Sequence, residues 1–312
     1  MSFTTTIKQE ISKIESSSSE MIAELSGFIR NNSDISNGLL KTTSEKLNVL
    51  ERFKYFIKEL YQIDSKIIEI NNVNFSKNAL YELIVEKDVN KILQNIGYYD
   101  NNNHYLETAP TYIVGANEEI RAYLRGVFLC SGSINDPKTS RYHLEILIPT
   151  PEEAVFVQQL LNIFDLNAKI INREKGYMIY VKEAEKISDF LKIIKANNAV
   201  LYFEDVRIYR DQKNKTNRLN NCEQANMDKI IETATAQLEQ INLIEETNSI
   251  ELLDDRTQVA LTYRKKYPEA SLKELAEIIS IETGKTISKS GLNHRLRKIK
   301  ELAERLAKNN NS

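Results

Sequence analysis

The chain has 312 residues, with 42 Lys and Arg against 44 Asp and Glu, 41% apolar and 28% charged residues, and a formal net charge of -2. This ordinary globular composition excludes wholesale disorder and a uniformly basic nucleic-acid binder of the histone kind. It leaves room for two or three modest domains and for a local basic site. Two cysteines and three histidines exclude a disulfide scaffold, and a multi-ligand metal site would have to be built mostly from carboxylates.

No apolar h-region opens the chain, and no apolar run reaches the roughly 18 residues that span a bilayer. The expectation is a cytoplasmic protein with reduced thiols and no membrane partner. Gly126 and Gly132 lack the spacing and the lysine of a P-loop, so no nucleotide is expected either.

The front two-thirds is duplicated. Residues 20–30 form an amphipathic helix, and 119–129 read the same way. Leu25 matches Leu124, Gly27 matches Gly126 and Ile35 matches Ile134 at an offset of 99. Phe53, Leu60 and Ile67 match Phe156, Ile163 and Ile170 at an offset of 103, the difference being a longer loop around Asp136-Pro137-Lys138. Tyr81, Leu83 and Val85 answer to Tyr177, Ile179 and Val181, and Leu93 and Ile96 to Leu191 and Ile194. Each copy reads as helix, strand pair, helix (45–61 and 151–164), hairpin and closing helix (88–97 and 183–195). The return strand of the second copy spans 142–148. Pro151 fits the first turn of the helix that follows, with Glu152 and Glu153 at its favourable end. A mid-helix glycine costs about 1 kcal/mol against alanine. The shared positions Gly27 and Gly126 therefore predict close helix–helix packing at a pseudo-two-fold axis.

The duplicated helix resembles the LAGLIDADG helix of homing endonucleases, with 25–33 aligned to 124–132. In that family the penultimate motif position carries an Asp or Glu that holds the divalent metals. Here those positions are Asn32 and Ser131, which are not anionic ligands. Asp34, Asp136 and Glu145 leave no symmetric acidic pair, so the resemblance implies a retained fold without nuclease activity and without a metal or other cofactor. Residues 114–148 and 197–225, the run Asn217–Asn226, and above all Ser288–Ile299 resemble the WhiA family of bacterial sporulation and cell-division regulators over essentially the whole chain. That resemblance implies an α+β fold: tandem LAGLIDADG-like repeats followed by an all-α helix-turn-helix domain like region 4 of sigma factors. It further implies DNA binding, with roles in transcription regulation, cell division and chromosome segregation.

Behind the repeats, Arg207, Arg210, Lys213, Lys215 and Arg218 face one acid, Asp211, in a polar segment between a strand-like 200–206 and the next helix. Phosphate contact and a solvated linker are both open readings. Asn221 is placed to cap a helix over 223–245, whose stripe is Ile230, Ile231, Ala234, Leu238, Ile241 and Ile244. Cys222 has no His or Cys neighbour and reads as a small, partly buried packing residue. Seven acids and no base follow from 232 to 255, then thirteen bases and six acids from 256 on, a local charge of +7. The acidic stretch is expected to face away from DNA.

A helix starting at Arg256 is broken after Tyr267 by Pro268. A second, 271–279, has Ser271 and Glu274 as a capping box. Its connection to a third, capped by Ser288, spans Ser280 to Ile287. Core positions Leu292, Leu296 and Ile299 leave Lys289, Ser290, Asn293, His294 and Arg295 as base-reading candidates, and Arg297, Lys298 and Lys300 as phosphate contacts. The expected division is 1–105 and 106–204 for the repeats, 205–222 for a basic linker and 223–312 for the helix-turn-helix domain. The expected partner is double-stranded DNA at the nucleoid. Two alternatives remain: a front domain that binds RNA polymerase or a cell-division protein, and an active endonuclease. The tail 309–312 is expected to fray.

Overall fold

The computed structural model describes residues 2–70 and 79–310. Residues 311 and 312 of the tail expected to fray lie outside them. The chain divides into two compact units, 1–210 and 211–312.

The first unit opens with α1 (Phe3–Ile11), an element the sequence reading did not contain. The first repeat follows as α2 (Ser18–Asn31), β1 (Ser33–Ser36), β2 (Leu39–Ser44), α3 (Leu47–Tyr61), β3 (Lys66–Ile70), β4 (Leu80–Val85) and α4 (Val89–Asn95). The second repeats that order as α5 (Asn117–Ser131), β5 (Gly132–Ile134), β6 (Leu144–Ile148), α6 (Pro151–Ile163), β7 (Lys169–Arg173), β8 (Gly176–Val181) and α7 (Ala184–Ile193). The two antiparallel sheets have matching orders, β1-β2-β4-β3 and β5-β6-β8-β7. Register supports the alignment of the copies independently: Ile67 pairs with Leu83 in one sheet, and Ile170 with Ile179 in the other. The first β-hairpin turns on Asn37 and Gly38, at φ 54° and 74°, the Asn-Gly pair that a two-residue loop favours. The second copy replaces that turn with the loop through Asp136–Lys138. Its return strand starts at Leu144, two residues later than expected, because Asn135 bonds to the His143 carbonyl outside the ladder.

Both repeats share one apolar core, centred on α2 and α5. Ser17 and Glu20 form a capping box that starts α2. A methyl group at Gly27 would run into the Tyr123 carbonyl, and one at Gly126 into the Glu24 carbonyl. The two contacts are reciprocal, as a pseudo-two-fold requires.

The buried carboxylates at this crossing are paired. Glu24, fully buried, accepts from Arg52 Nε and Nη2 (2.5 and 2.9 Å) and from Arg125 Nε (2.7 Å). Arg52 also donates to the Ile14 and Ser12 carbonyls (2.5 and 3.2 Å), so the carboxylate ties α3, α5 and the segment after α1 to α2. At the position equivalent to Glu24 the second copy has Tyr123, whose hydroxyl donates to buried Glu153 at the start of α6. Burial pushes the Glu153 carboxyl up to about 7, against the pull of the Tyr123 hydrogen bond and of Arg30.

The strand expected at 200–206 is helical. It belongs to α8 (Asn197–Glu246), a single helix of 50 residues that absorbs the expected linker 205–222 and the helix expected to start near 223. The cause is nonlocal. The Glu10 carboxylate of α1 accepts from the backbone N–H groups of Asn198 and Ala199 (2.7 and 3.1 Å) and caps the helix start. Phe203 is buried beside Phe3 and Tyr142. Asn221 therefore sits within a helix and caps nothing, and Cys222 is exposed rather than packed.

Gly27→Val and Gly126→Val should each lower stability by roughly 1–3 kcal/mol or more, through overpacking against backbone. Gly291→Ala, where a methyl group meets only ordinary contacts at 3.4 and 3.6 Å, should be neutral or slightly stabilising in urea unfolding. Glu153 has a raised folded pKa, so its stabilising protonated form is fully present below its ordinary value of 4.5 and lost as pH rises through about 7. Unfolding monitored between pH 4.5 and 8 should show Glu153→Gln more stable than the parent at pH 8 and flatter across that window.

Candidate nucleic-acid interface

The second unit ends in three helices, α9 (Asp255–Lys266), α10 (Leu272–Thr283) and α11 (Lys289–Asn310). Asp254 caps α9, accepting from the Thr257 backbone N–H at 2.9 Å. Ser271 and Glu274 form the expected capping box on α10, and Ser288 accepts from the Gly291 N–H at 3.1 Å to start α11. The α10–α11 connection is tighter than the sequence reading had it, because α10 runs on to Thr283 and Gly284 ends it at φ 68°. Ser280 Oγ then receives the Ile287 N–H at 2.9 Å and fixes the turn.

Leu275, Ala276 and Ile279 pack with Leu292, Leu296 and Ile299, and with Ile241 and Ile244 from the end of α8. Ile231, expected on the apolar stripe of 223–245, is 51% exposed, and Ala234 is the buried residue of its turn. The Arg264 guanidinium is buried and donates to the Ala270 carbonyl at 2.8 Å, holding the turn that Pro268 makes.

This core turns one face of α11 outward. Lys289, Ser290, Asn293, His294, Arg297, Lys298 and Lys300 are exposed, and Arg295 is half-buried. Arg295 Nη1 lies 3.4 Å from the Arg256 carbonyl, so it leans toward α9. Lys298 pairs with Asp254 at 2.9 Å, and Lys300 approaches Glu304 at 3.8 Å. Lys289 and Arg297 carry no ion pair among the described residues. Asp254 is held down to about 2 by the Lys298 ammonium and by its hydrogen bonds to Thr257. The acidic stretch 232–255 thus ends against the basic helix, a pairing that the charge pattern alone did not reveal.

The basic residues of α8 divide by contact. Within the first unit, Arg207 pairs with Glu204 and Glu185 (2.8 and 3.1 Å). Arg210 donates to the Pro137 and Ser140 carbonyls (2.6 and 2.9 Å) and lies over the Tyr142 ring. Lys213, Lys215 and Arg218 are exposed in the second unit.

The ends of the paired helices in the first unit carry amides, hydroxyls and a cation. Asn32 donates its side-chain amide to the Thr43 carbonyl, and its own carbonyl accepts from Thr42 Oγ1. Beyond Ser131, α1 brings Lys8 over the Phe128 ring, 5.7 Å from the centroid. Burial pushes the Lys8 ammonium down to about 8 and the neighbouring Cys130 thiol up to about 12. Of the three candidate acids, Asp34 lies by Asn32, Asp136 accepts from the Tyr202 hydroxyl at 3.1 Å, and Glu145 pairs with His143 at 3.3 Å. Among the described residues no group of three His, Cys, Asp or Glu side chains is placed to hold a metal ion, and no helix is long and apolar enough to cross a membrane.

Three family models match the chain in order: the WhiA N-terminal LAGLIDADG-like domain over residues 18–99, the WhiA LAGLIDADG-like domain over 120–213 and the WhiA C-terminal HTH domain over 216–303. A probable cell division protein WhiA of Enterococcus faecalis is 40% identical over 314 aligned positions, covering 98% of each chain. Its counterpart in Brevibacillus brevis is 39% identical over 315 aligned positions, covering 100% of this chain and 99% of its own.

The chain belongs to the WhiA family.

The crystal structure of full-length WhiA from Thermatoga maritima shares the fold, with a TM-score of 0.59 at 24% identity over 96% of each chain. In WhiA terms, the first unit is a LAGLIDADG-like scaffold with Asn32 and Ser131 at its helix ends, and the trihelical unit is the HTH domain.

The Asp254–Lys298 pair makes the HTH domain acid-sensitive. A depressed carboxyl pKa gives stability that is present above the ordinary value of 3.8 and lost as pH falls through about 2. Circular dichroism from pH 5 to 2 should show Asp254→Asn less pH-dependent than the parent. The variant also frees Lys298, and should bind duplex DNA a few-fold more tightly at low salt, about the worth of one exposed ion pair.

Proposed function

We propose that the chain is a DNA-binding regulator that reads duplex DNA through α11 and acts in cell division and chromosome segregation, with transcription as one route. The observation that carries this is the outward face of α11: Asn293 and His294 lie in its first half with Lys289 and Ser290, and Arg297, Lys298 and Lys300 follow in a segment of local charge +7. Arg and Lys neutralise phosphates irrespective of sequence, whereas Asn can pair with adenine in the major groove. Exposed Lys213, Lys215 and Arg218 are further phosphate candidates. Arg207 and Arg210 are weaker ones, being engaged within the protein, as is Arg295 for base reading. The nucleoid is the corresponding location. The division into 1–105, 106–204, 205–222 and 223–312 is kept as a functional proposal, with 205–222 part of a helix rather than a linker.

The LAGLIDADG-like unit has no hydrolytic role in this reading. Asn32 and Ser131 cannot supply anionic ligands, and Lys8 lies beside Cys130 at the second helix end. Plasmid DNA should stay intact with magnesium. A second reading, in which this unit contacts RNA polymerase or a division protein, is favoured by aliphatic side chains on the outer sheet faces: Ile68, Leu147 and Ile171 are 44%, 41% and 39% exposed.

Fluorescence anisotropy of the full chain on specific and random duplexes tests the DNA reading. If roughly five phosphates are neutralised, log affinity against log salt should have a slope of about -4 to -5. Arg297→Ala should reduce that slope by about one and weaken both duplexes alike. Asn293→Ala should narrow the gap between the duplexes by about 1–3 kcal/mol. Tight binding that ignores every α11 substitution would move the interface to the first unit.

A further inference from the structure

A cleft of about 460 Å³ lies in the second unit between α9, α10 and the α10–α11 turn. Val259, Ile279 and Ile287 line it with methyl groups. Ile279 is buried in the core, while Val259 and Ile287 remain half-exposed. Three cations surround this apolar lining, Arg256, Lys285 and Arg295, against one acid, Asp255. Arg256 and Arg295 are neighbours, since the Arg295 guanidinium reaches the Arg256 carbonyl. Like charges side by side gain from a shared anion.

We infer that this cleft docks an acidic segment of a partner protein, with one aliphatic side chain seated between Val259 and Ile287 and flanking carboxylates on Arg256, Lys285 and Arg295. The charge and the lining together select this occupant. A phosphate backbone would satisfy the cations but leave the methyl groups wet. A free aliphatic acid would fill the apolar part yet bring one carboxylate for three cations. An acidic segment with a leucine or isoleucine meets both demands, as an apolar anchor inside a charged rim does at protein interfaces. The site also gives Arg295 a role apart from base reading.

The test uses the full chain with methyl-labelled isoleucine, titrated by NMR with a short peptide of alternating Asp and Leu. Ile279 and Ile287 methyl signals should shift and saturate, and the other isoleucine signals report that each variant is folded. An Asn/Leu peptide, an Asp/Ser peptide and octanoate should each bind about tenfold or more weakly. Lys285→Glu should weaken the Asp/Leu peptide by a similar factor, whereas Lys273→Glu, the same charge change on α10 outside the cleft, should not. The proposal is overturned by no shift at these methyl groups, or by equal binding of the Asp/Ser peptide, which would mean charge alone. Octanoate binding as well as the peptide, or equal loss in Lys273→Glu, would also overturn it. So would a DNA duplex that shifts the same methyl signals and displaces the peptide. The affinity of α11 for DNA is read separately, so either reading can fail without the other.

Discussion

Backbone meets backbone where α2 crosses α5, and the first unit is arranged around that contact. Gly27 and Gly126 leave room for the Tyr123 and Glu24 carbonyls and nothing else. An approach this close brings polar groups into the core, where each must find a partner. Glu24 finds two, Arg52 and Arg125. Overpacking a glycine costs roughly 1–3 kcal/mol, while stripping one partner from a buried ion pair costs roughly 3–5 kcal/mol. The carboxylate is therefore the more consequential of the two, although the glycines make its position possible. The duplication is broken at this point: Tyr123 stands where the first copy has Glu24 and bonds to Glu153 instead. Two identical carboxylates at one crossing would repel each other, and a phenol opposite a carboxyl avoids this.

The same closeness brings the two helix C-termini together. The partial negative charge of those termini favours a cation. Lys8 supplies one from α1, close to Cys130 and over Phe128. Asn32 spends its amide on the Thr43 carbonyl and is a structural cap for the strand that follows. Helix α1, which caps α8 through Glu10, is anchored at this end through Lys8.

What the sequence revealed and what it hid follows contact range. The repeat was legible because a duplicated apolar pattern is local within each copy, and strand register reproduces it at Ile67–Leu83 and Ile170–Ile179. The caps Ser271, Glu274 and Ser288 were legible for the same reason. Residues 200–206, Val-Leu-Tyr-Phe-Glu-Asp-Val, read as a strand because β-branched and aromatic residues favour one. The deciding contacts are Glu10 on the helix start and Phe3 on Phe203, which lie nearly two hundred residues away in sequence. The Glu24 network was hidden likewise, since Arg52 and Arg125 lie 28 and 101 residues from it in sequence. At the interface the spacing of Leu292, Leu296 and Ile299 identified the outward face of α11. It could not show that Arg295 leans toward Arg256 or that Asp254 holds Lys298. The Asp254-x-x-Thr257 spacing is a local cap signal of the same kind.

Those pairings change what the charge count of the second unit means. Of its cations, Lys265 is paired with Glu245, Lys266 with Glu282 and Lys298 with Asp254, each within 3 Å. A cation that already has a carboxylate beside it condenses little onto a phosphate, and releases few counterions, unless it first leaves its partner. The Lys266–Glu282 pair is reinforced by the Tyr267 hydroxyl on the same carboxylate, and together they hold Glu282 down to about 2, so it is the least free to move. Lys298 is different. Its partner, Asp254, keeps the Thr257 N–H when the lysine departs, so the cap of α9 survives the exchange of a carboxylate for a phosphate. The local charge of +7 is thus an upper bound on what DNA meets. On α11, Lys289 and Arg297 hold no ion pair among the described residues and could meet a phosphate without breaking one, whereas Lys298 would join them at the cost of one exposed pair.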